Sequence, residues 1–370
     1  MATAVATEAL PLARPSGRRL LLLGAGAAAM LGSLVLLVPA VGDLSQAVGR
    51  LGDAQAGWLL AALGLELVSF LGYIVLFRAV CVDGGSSRID LKVSAQITLA
   101  GTAATRVFAS GGAGGVALTA WALRRAGLDR AAVAARMVAF LVLLYAVYML
   151  ALVVGGLGLA LGLLPGNAPL AMTIAPAALG AGVIAAALAA QRIGPGDGRV
   201  CTALAPVGQG VRDARALLAR REPGLLGALA WWAGDVAVLL ACLHAFGASP
   251  PVAIVVVSYF VGMLANLLPL PGGVGGVDGG MVGALVLFGV DPATAVVGVL
   301  AYRGFAFWLP IVPGVLAFVS LRRTVSRWGR EDVFGVPAER VACPAGPREH
   351  PRARRATRAC AVTHQRATLG

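Results

Sequence analysis

Long apolar stretches alternate along the chain with short polar connections. A helix needs about 20 consecutive apolar residues to cross the hydrocarbon core of a bilayer. Six stretches are long enough: residues 20–41, 58–80, 137–164, 170–190, 225–246 and 293–321. The pattern therefore predicts an all-α polytopic membrane protein with six full spans.

Two further apolar segments, residues 93–123 and 252–288, are interrupted by glycine and proline. The first contains SGGAGG at 110–115, and the second contains LLPLPGGVGGVDGG at 267–280. Both residue types are unfavourable inside a helix, and a break at membrane depth has to be buried in protein or line a wet cavity. We predict that each segment is a re-entrant helical hairpin with its turn at the glycines.

The arginines and lysines indicate which connections face the cytoplasm, because cytoplasmic loops are enriched in both. Basic residues precede the first span, follow the second, fill the connection at 191–222 and begin the tail at Arg322, whereas the connections at 165–169 and 246–251 carry no charge. Both termini are thus expected on the cytoplasmic side of the cell membrane. The hairpin at 93–123 should then enter from the cytoplasm, and the other hairpin from outside.

These assignments divide the chain into three parts. They are a cytoplasmic N-terminal segment at 1–19, a transmembrane domain at 20–321 that includes the basic cytoplasmic linker at 191–222, and a disordered basic cytoplasmic tail at 322–370. The basic lead and apolar run of the first span also occur in signal peptides, but the run at 20–41 is longer than a signal-peptide core. We therefore count it as a span.

The two interrupted segments belong to a longer internal repeat. Each contains GGxGG, a helix-length apolar stretch, and then Gly-Leu-Asp or Gly-Val-Asp at the start of the next span. Gly112 aligns with Gly273, and Asp129 aligns with Asp291. Since the flanking charges are opposite, the sequence predicts an inverted-topology repeat, which in transporters places the substrate site near the bilayer midplane.

Composition narrows the functional class. The chain is 59% hydrophobic and 13% charged, with a mean hydropathy of +0.85, which excludes a soluble globular protein. The net charge of +13 comes from short basic clusters between apolar runs, so it indicates membrane orientation, and we expect no nucleic-acid partner. The cysteines are scattered without a CxxC pair, and the chain contains no hydrolase, metalloprotease or nucleotide-binding motif in context. No cofactor, metal site or enzymatic activity is expected.

The glycine breaks are the first candidates for a binding site. The returning half of each hairpin begins inside the membrane, so its free amides and positive dipole end favour an anion. The candidate amides are those of Gly111, Gly112, Gly114 and Gly115 in the first hairpin and of Gly272, Gly273 and Gly275 in the second. Arg106 adds a positive charge close to the first break. The alternative is that these glycines only allow close packing between helices.

Ionisable residues within apolar segments are the second group of candidates, because they are costly in a membrane and usually functional. Asp278 lies in the first turn of the second returning helix, where it either caps that helix or takes part in binding. Arg303, in the last span, is expected to pair with Asp278 or with a substrate phosphate. Glu66 and Asp235 also lie inside predicted spans and should have interior partners.

The second hairpin and the last span resemble a known family. NLLPLPGGVGGVDGG at 266–280 and FGVDPATAVVGVLAYRGFAFWLPIVPGVLAF at 288–318 are similar to the closing signature of the lysylphosphatidylglycerol synthase transmembrane region family, which are flippase-like membrane proteins. The resemblance extends over roughly residues 20–323. The positions that it implies to be functional are Asn266, Pro269, Pro271, Gly272, Gly273, Asp278, Tyr302, Arg303 and Trp308.

Two departures from the family pattern concern the binding site. The family usually has glutamate where Asp278 stands. In the first glycine motif the usual proline is replaced by Ser110, and Val116 and Ala117 follow where an acidic residue is expected. A mechanism that needs two symmetric carboxylates is therefore in doubt.

The resemblance also implies a function. Members joined to a soluble aminoacyl-transferase domain make and translocate aminoacylated phosphatidylglycerol, and no such domain fits in the roughly 50 residues after Leu321. We therefore expect a lipid translocase, acting on an anionic or aminoacylated phospholipid or a lipid-linked glycan. The alternatives are a non-transporting partner of a separately encoded synthase or glycosyltransferase, and a small-solute transporter.

Overall fold

A computed structural model describes residues 54–82, 88–107, 113–166, 169–192, 199–267 and 275–333. The first predicted span, at 20–41, lies outside these ranges. Within them the chain is helical, and none of the described residues belongs to a β-strand.

Five helical stretches in this part of the chain are long and apolar enough to cross a membrane. They are Ala56–Val82, Arg130–Ala160, Leu170–Ala190, Pro223–Ala245 and Pro292–Trp328. Each corresponds to one of the predicted spans, so the described part of the chain confirms a helical, multi-pass membrane protein.

The helices are numbered here in chain order. They are α1 Ala56–Phe77, α2 Leu91–Val107, α3 Ala113–Arg125, α4 Arg130–Ala160, α5 Leu170–Ala190, α6 Arg199–Ala219, α7 Leu226–Ala245, α8 Val252–Met263, α9 Gly276–Leu287, α10 Pro292–Arg303 and α11 Ile311–Val333. Short π-helical segments follow α1 at Arg78–Val82 and α10 at Gly304–Trp308, and one-turn 3-10 helices lie at Pro223–Leu225 and Leu264–Leu267.

Two aligned aspartates cap the helices that follow the interrupted segments. The Asp129 carboxylate accepts a hydrogen bond of 2.9 Å from the backbone N–H of Ala132 at the start of α4. The Asp291 carboxylate accepts one of 2.9 Å from the backbone N–H of Thr294 at the start of α10. Each satisfies a backbone donor that the first turn of a helix leaves open. This explains why α4 begins well before residue 137, where apolar residues alone placed its start.

Two segments predicted as linker and tail contain helix. The basic linker at 191–222 includes α6, which packs against α4 and α5.

The last described helix continues to Val333, so the start of a disordered tail at residue 322 was wrong. Leu321 and Val325 lie one turn apart on the same face of this helix, and both are buried. The compact unit of the chain ends at Val325; the residues from Ser326 form a second unit, which is described only to Val333.

The most extensive helix contact joins α1 and α7. A methyl group on Gly72 of α1 would lie 2.7 Å from the Cβ atom of Ala230 and 2.9 Å from the carbonyl oxygen of Gly227, so the two backbones approach closely. The Ser69 hydroxyl donates a 2.8 Å hydrogen bond to the Trp231 carbonyl across the same interface. Small residues permit such packing in membranes, where lipid tails compete for apolar surface. This interface fixes the position of Glu66 relative to Asp235.

The two interrupted segments form two helix pairs, α2 with α3 and α8 with α9. Glycine lies at the contact in both: a methyl group on Gly101 would lie 3.7 Å from the Gly115 carbonyl oxygen, and one on Gly280 would lie 3.0 Å from the Gly262 Cα atom. At 1.5 Å per residue, α2 is about 25 Å long, α3 about 20 Å, and α8 and α9 about 18 Å each, shorter than the roughly 30 Å hydrocarbon core. Residues 108–112 and 268–274, where the turns were predicted, lie outside the described residues.

The close approach of α1 and α7 predicts an asymmetric response to alanine. Gly72→Ala should lower the free energy of unfolding by about 1–3 kcal/mol, because the added methyl group meets backbone and Cβ atoms of α7. Gly64→Ala, on the same helix but with open space around it, should change it by less than about 1 kcal/mol. Thermal unfolding of the purified protein in detergent measures both; equal midpoints for the two variants would contradict the interface.

Candidate functional site

Polar and charged side chains meet where α1, α2, α7, α8, α9 and α10 come together. Each is linked to another by a hydrogen bond, an ion pair or an electrostatic interaction. We call this set the central cluster: Glu66, Arg106, Asp235, Tyr259, Asp278, Tyr302 and Arg303.

Asp235 is held by two tyrosines from neighbouring helices. The hydroxyls of Tyr259 on α8 and Tyr302 on α10 both donate to its carboxylate, the second at 3.2 Å. The tyrosine rings meet edge to face with centroids 5.9 Å apart. Asp235 is only 5% exposed, and a buried carboxylate is tolerated when hydrogen bonds replace its hydration. These bonds join α7, α8 and α10.

Asp278 and Arg303 form an ion pair between α9 and α10. Each side chain is 12% exposed. The other oxygen of Asp278 accepts a 3.0 Å hydrogen bond from the backbone N–H of Gly275, so the same carboxylate also caps α9. The Arg303 guanidinium lies 5.2 Å from the ring centroid of Phe307, one turn further along. Asp278 therefore caps α9, one of the two roles considered for it, and Arg303 pairs with Asp278, one of the two partners expected for that arginine.

Arg106 is the second arginine of the cluster. Its guanidinium lies 5.7 Å from the ring centroid of Phe70 and within electrostatic range of Glu66, Asp235 and Arg303. Its Nη1 atom is buried and has no hydrogen-bond partner in the described part of the chain. Since a guanidinium carries five N–H donors, Arg106 retains the capacity to bind an acceptor.

The structure brings together four of the candidate residues, namely Arg106, Asp278, Tyr302 and Arg303. Asn266 does not join them: it is exposed, and its amide nitrogen lies 3.1 Å from the sulfur of Met263. The candidates Gly111, Gly112, Pro269, Pro271, Gly272 and Gly273 lie outside the described residues.

The described glycines have structural roles. Gly275, with φ of 82°, is the N-cap of α9 in a backbone conformation that favours glycine. Gly114 and Gly115 lie in the first turn of α3. A methyl group on Gly115 would lie 2.5 Å from the carbonyl oxygen of Gly101 on α2. The structure therefore shows that Gly115 allows close packing between helices, which was the alternative to a binding role.

Three further members of the cluster were absent from the binding-site prediction. Glu66 and Asp235 were recognised only as ionisable residues within spans. Tyr259 was missed, because a tyrosine in the continuously apolar sequence of α8, VAIVVVSYFVGM, gives no sign of the helix face on which it lies. A buried aspartate in α7 does signal that some neighbouring helix supplies a donor, but sequence does not say which one.

Comparison with known proteins places this site in a family. A family model described as "Lysylphosphatidylglycerol synthase TM region" matches residues 17–314. The chain belongs to this family. The resemblance seen in the second hairpin is thus confirmed, and the matched region contains the whole central cluster.

One curated relative is also a membrane protein. A UPF0104 membrane protein from Methanothermobacter thermautotrophicus is 33% identical over 97 residues. The match covers 26% of this chain and spans 28% of the length of that relative. Its name says only that it is a membrane protein, so the match supports the membrane class.

The ion pair between α9 and α10 can be tested by a double-mutant cycle. Arg303→Gln should lower the free energy of unfolding by about 3–5 kcal/mol, because it leaves the Asp278 carboxylate buried without its counter-charge. Asp278→Asn should cost less, since the amide oxygen can still accept from Gly275. The coupling energy from the single variants and the double variant should be about 0.5–3 kcal/mol, measured by denaturant unfolding in detergent.

The matched control for this cycle is Arg220→Gln, which removes an exposed arginine at the end of the described linker helix. It should leave stability nearly unchanged. Additive effects of the Asp278 and Arg303 substitutions would contradict a direct pair.

Proposed function

We propose that this chain is a lipid translocase of the cell membrane that moves a phospholipid or lipid-linked substrate with an anionic head group between leaflets. The observation that carries the proposal is Arg106, whose buried Nη1 atom has no hydrogen-bond partner among the described residues. A guanidinium binds phosphate through charge-assisted, often bidentate hydrogen bonds. In a family of membrane proteins, the phosphate of a lipid head group is a suitable ligand for this arginine.

The proposed architecture is the one expected from sequence: six spans and two re-entrant hairpins that enter from opposite faces as an inverted repeat. The positions of Arg106 and Asp278 support it. Arg106 lies at the end of α2, just before the first glycine break, and Asp278 lies at the start of α9, just after the second. Both interact with Arg303, the first electrostatically and the second as an ion pair. Hairpin tips that meet from opposite faces would bring these residues together.

In this proposal Arg106 and Arg303 share the head group. Asp278 already neutralises Arg303, so a phosphate would have to compete with that carboxylate for Arg303. Arg106 has an Nη1 atom without a partner among the described residues, which can donate to the phosphate directly. The amides expected at the glycine breaks, those of Gly111, Gly112, Gly272 and Gly273, would supply further donors. Rocking of the two halves would expose the site to each face in turn, while the acyl chains remain in lipid. The proposal includes no covalent step, so the chain acts as a translocase and not as an enzyme.

Reconstitution into proteoliposomes tests the proposal. Head-group-labelled phosphatidylglycerol should move between leaflets faster than in protein-free vesicles, as measured by the fraction of label that a membrane-impermeant quencher reaches with time. Arg106→Gln should slow this transfer by at least about tenfold, because losing a hydrogen bond to a charged group costs about 1.5–3 kcal/mol.

Arg220→Gln removes an equal charge outside the cluster and should transfer lipid at the wild-type rate. The proposal would be contradicted if the wild-type protein left the transfer rate at that of protein-free vesicles for anionic, aminoacylated and glycan-linked lipids alike. In that case a partner of a separately encoded synthase or glycosyltransferase would be the better account, and copurification of such an enzyme would support it.

A further inference from the structure

Glu66 differs from the other acidic residues of the central cluster. It lies on α1, is 3% exposed, and neither carboxyl oxygen has a hydrogen-bond partner in the described ranges. Asp235, by contrast, accepts from Tyr259 and Tyr302, and Asp278 is paired with Arg303. The two aspartates thus have the donors that an ionised carboxylate requires, and Glu66 does not.

The side chains that face Glu66 come from three helices. They are Asp235 and Cys242 from α7, Arg106 from α2 and Tyr302 from α10, each within electrostatic range. The tyrosine hydroxyl is already committed to Asp235. Arg106 supplies the positive charge close to Glu66 in the described structure, but the two side chains are not hydrogen-bonded to each other.

Among the described residues, the remaining surroundings of Glu66 offer no charge. Ser69, one turn along α1, donates its hydroxyl to the Trp231 carbonyl and not to the glutamate. The segments Pro223–Leu225 and Gly304–Trp308, which also pack against α1, contain no ionisable side chain. A carboxylate that is buried with no donor is strongly unfavourable, and in practice it is neutralised.

We propose that Glu66 is a proton-binding site, and that the chain moves a proton together with the anionic head group held by Arg106. The proposal rests on the function proposed above and adds the coupled ion. It follows from the shared position of Arg106, whose single charge can balance either the Glu66 carboxylate or a lipid phosphate, but not both.

The charges balance at each stage. When a phosphate binds Arg106, Glu66 takes a proton from the water on the open side and becomes neutral. When the lipid leaves on the other side, Arg106 turns to the Glu66 carboxylate and the proton is released there. In the described structure Glu66 and Arg106 are not hydrogen-bonded to each other, so the carboxyl can take a proton while the guanidinium takes a phosphate. A lipid with one negative charge then crosses with one proton as a neutral pair, so the membrane potential does not oppose its movement.

Proton uptake on lipid binding tests this directly. Short-chain phosphatidylglycerol is titrated calorimetrically into the full chain in detergent, in two buffers with different heats of ionisation, and the difference in binding heat gives the protons taken up. Wild-type protein should take up roughly one proton per lipid bound. Glu66→Gln, which is permanently neutral, should bind the lipid with no uptake.

Glu222→Gln is the matched control, because it makes the same chemical change at a residue outside the cluster. It should behave as wild type. Lipid binding by the wild-type protein without proton uptake, or undiminished uptake in Glu66→Gln, would overturn the proton site while leaving the translocase proposal intact. Failure of the wild-type protein to bind any of the three lipid classes would contradict both.

A measurement on the wild-type protein alone covers the case in which Glu66→Gln does not fold. Infrared difference spectra recorded on lipid binding should show a new carbonyl stretch from a protonated carboxylic acid, shifted when the protein carries carboxyl-labelled glutamate. A spectrum without that band would overturn the proposal.

Discussion

The structure depends on giving each charged side chain that is removed from water a counter-charge or a hydrogen-bond donor. An ionised side chain deep in a membrane protein is costly unless a counter-charge or hydrogen-bond donor replaces its hydration. Asp235 is balanced by two tyrosine hydroxyls, and Asp278 by Arg303 and a backbone amide. Because these partners come from different helices, each balanced charge also fixes the relative positions of α7, α8, α9 and α10.

Two members of the cluster, Glu66 on α1 and Arg106 on α2, depart from this rule, and they interact electrostatically. Glu66 has no hydrogen-bond donor and Arg106 Nη1 has no acceptor among the described residues. If their only role were structural, a direct ion pair would satisfy both. Their separation instead suits a site that must accept charge from outside, which is why the proposals for a head group and for a proton both depend on this pair.

The sequence predicted the parts of the fold that depend on the length of apolar runs, since span length follows from bilayer thickness. It failed where a capping side chain or tertiary packing determines a boundary. The start of α4 is set by the Asp129 cap, and α11 continues past residue 322 because buried Leu321 and Val325 keep the same helix face. Within the site, the pairing of Asp278 with Arg303 was predictable because both are isolated charges in apolar segments, whereas Tyr259 became visible only once α7 and α8 were packed together.

The proposed function requires that a lipid phosphate binds Arg106. Solid-state NMR of the reconstituted protein, with nitrogen-15 in its arginine guanidinium groups and phosphatidylglycerol as the only phosphorus source, measures nitrogen-to-phosphorus distances directly. The Arg106 signal, assigned by its loss in Arg106→Gln, should be dephased by phosphorus at hydrogen-bonding range. The account would be contradicted if phosphorus dephased only the signals of other arginines, which are the signals that remain in the spectrum of Arg106→Gln.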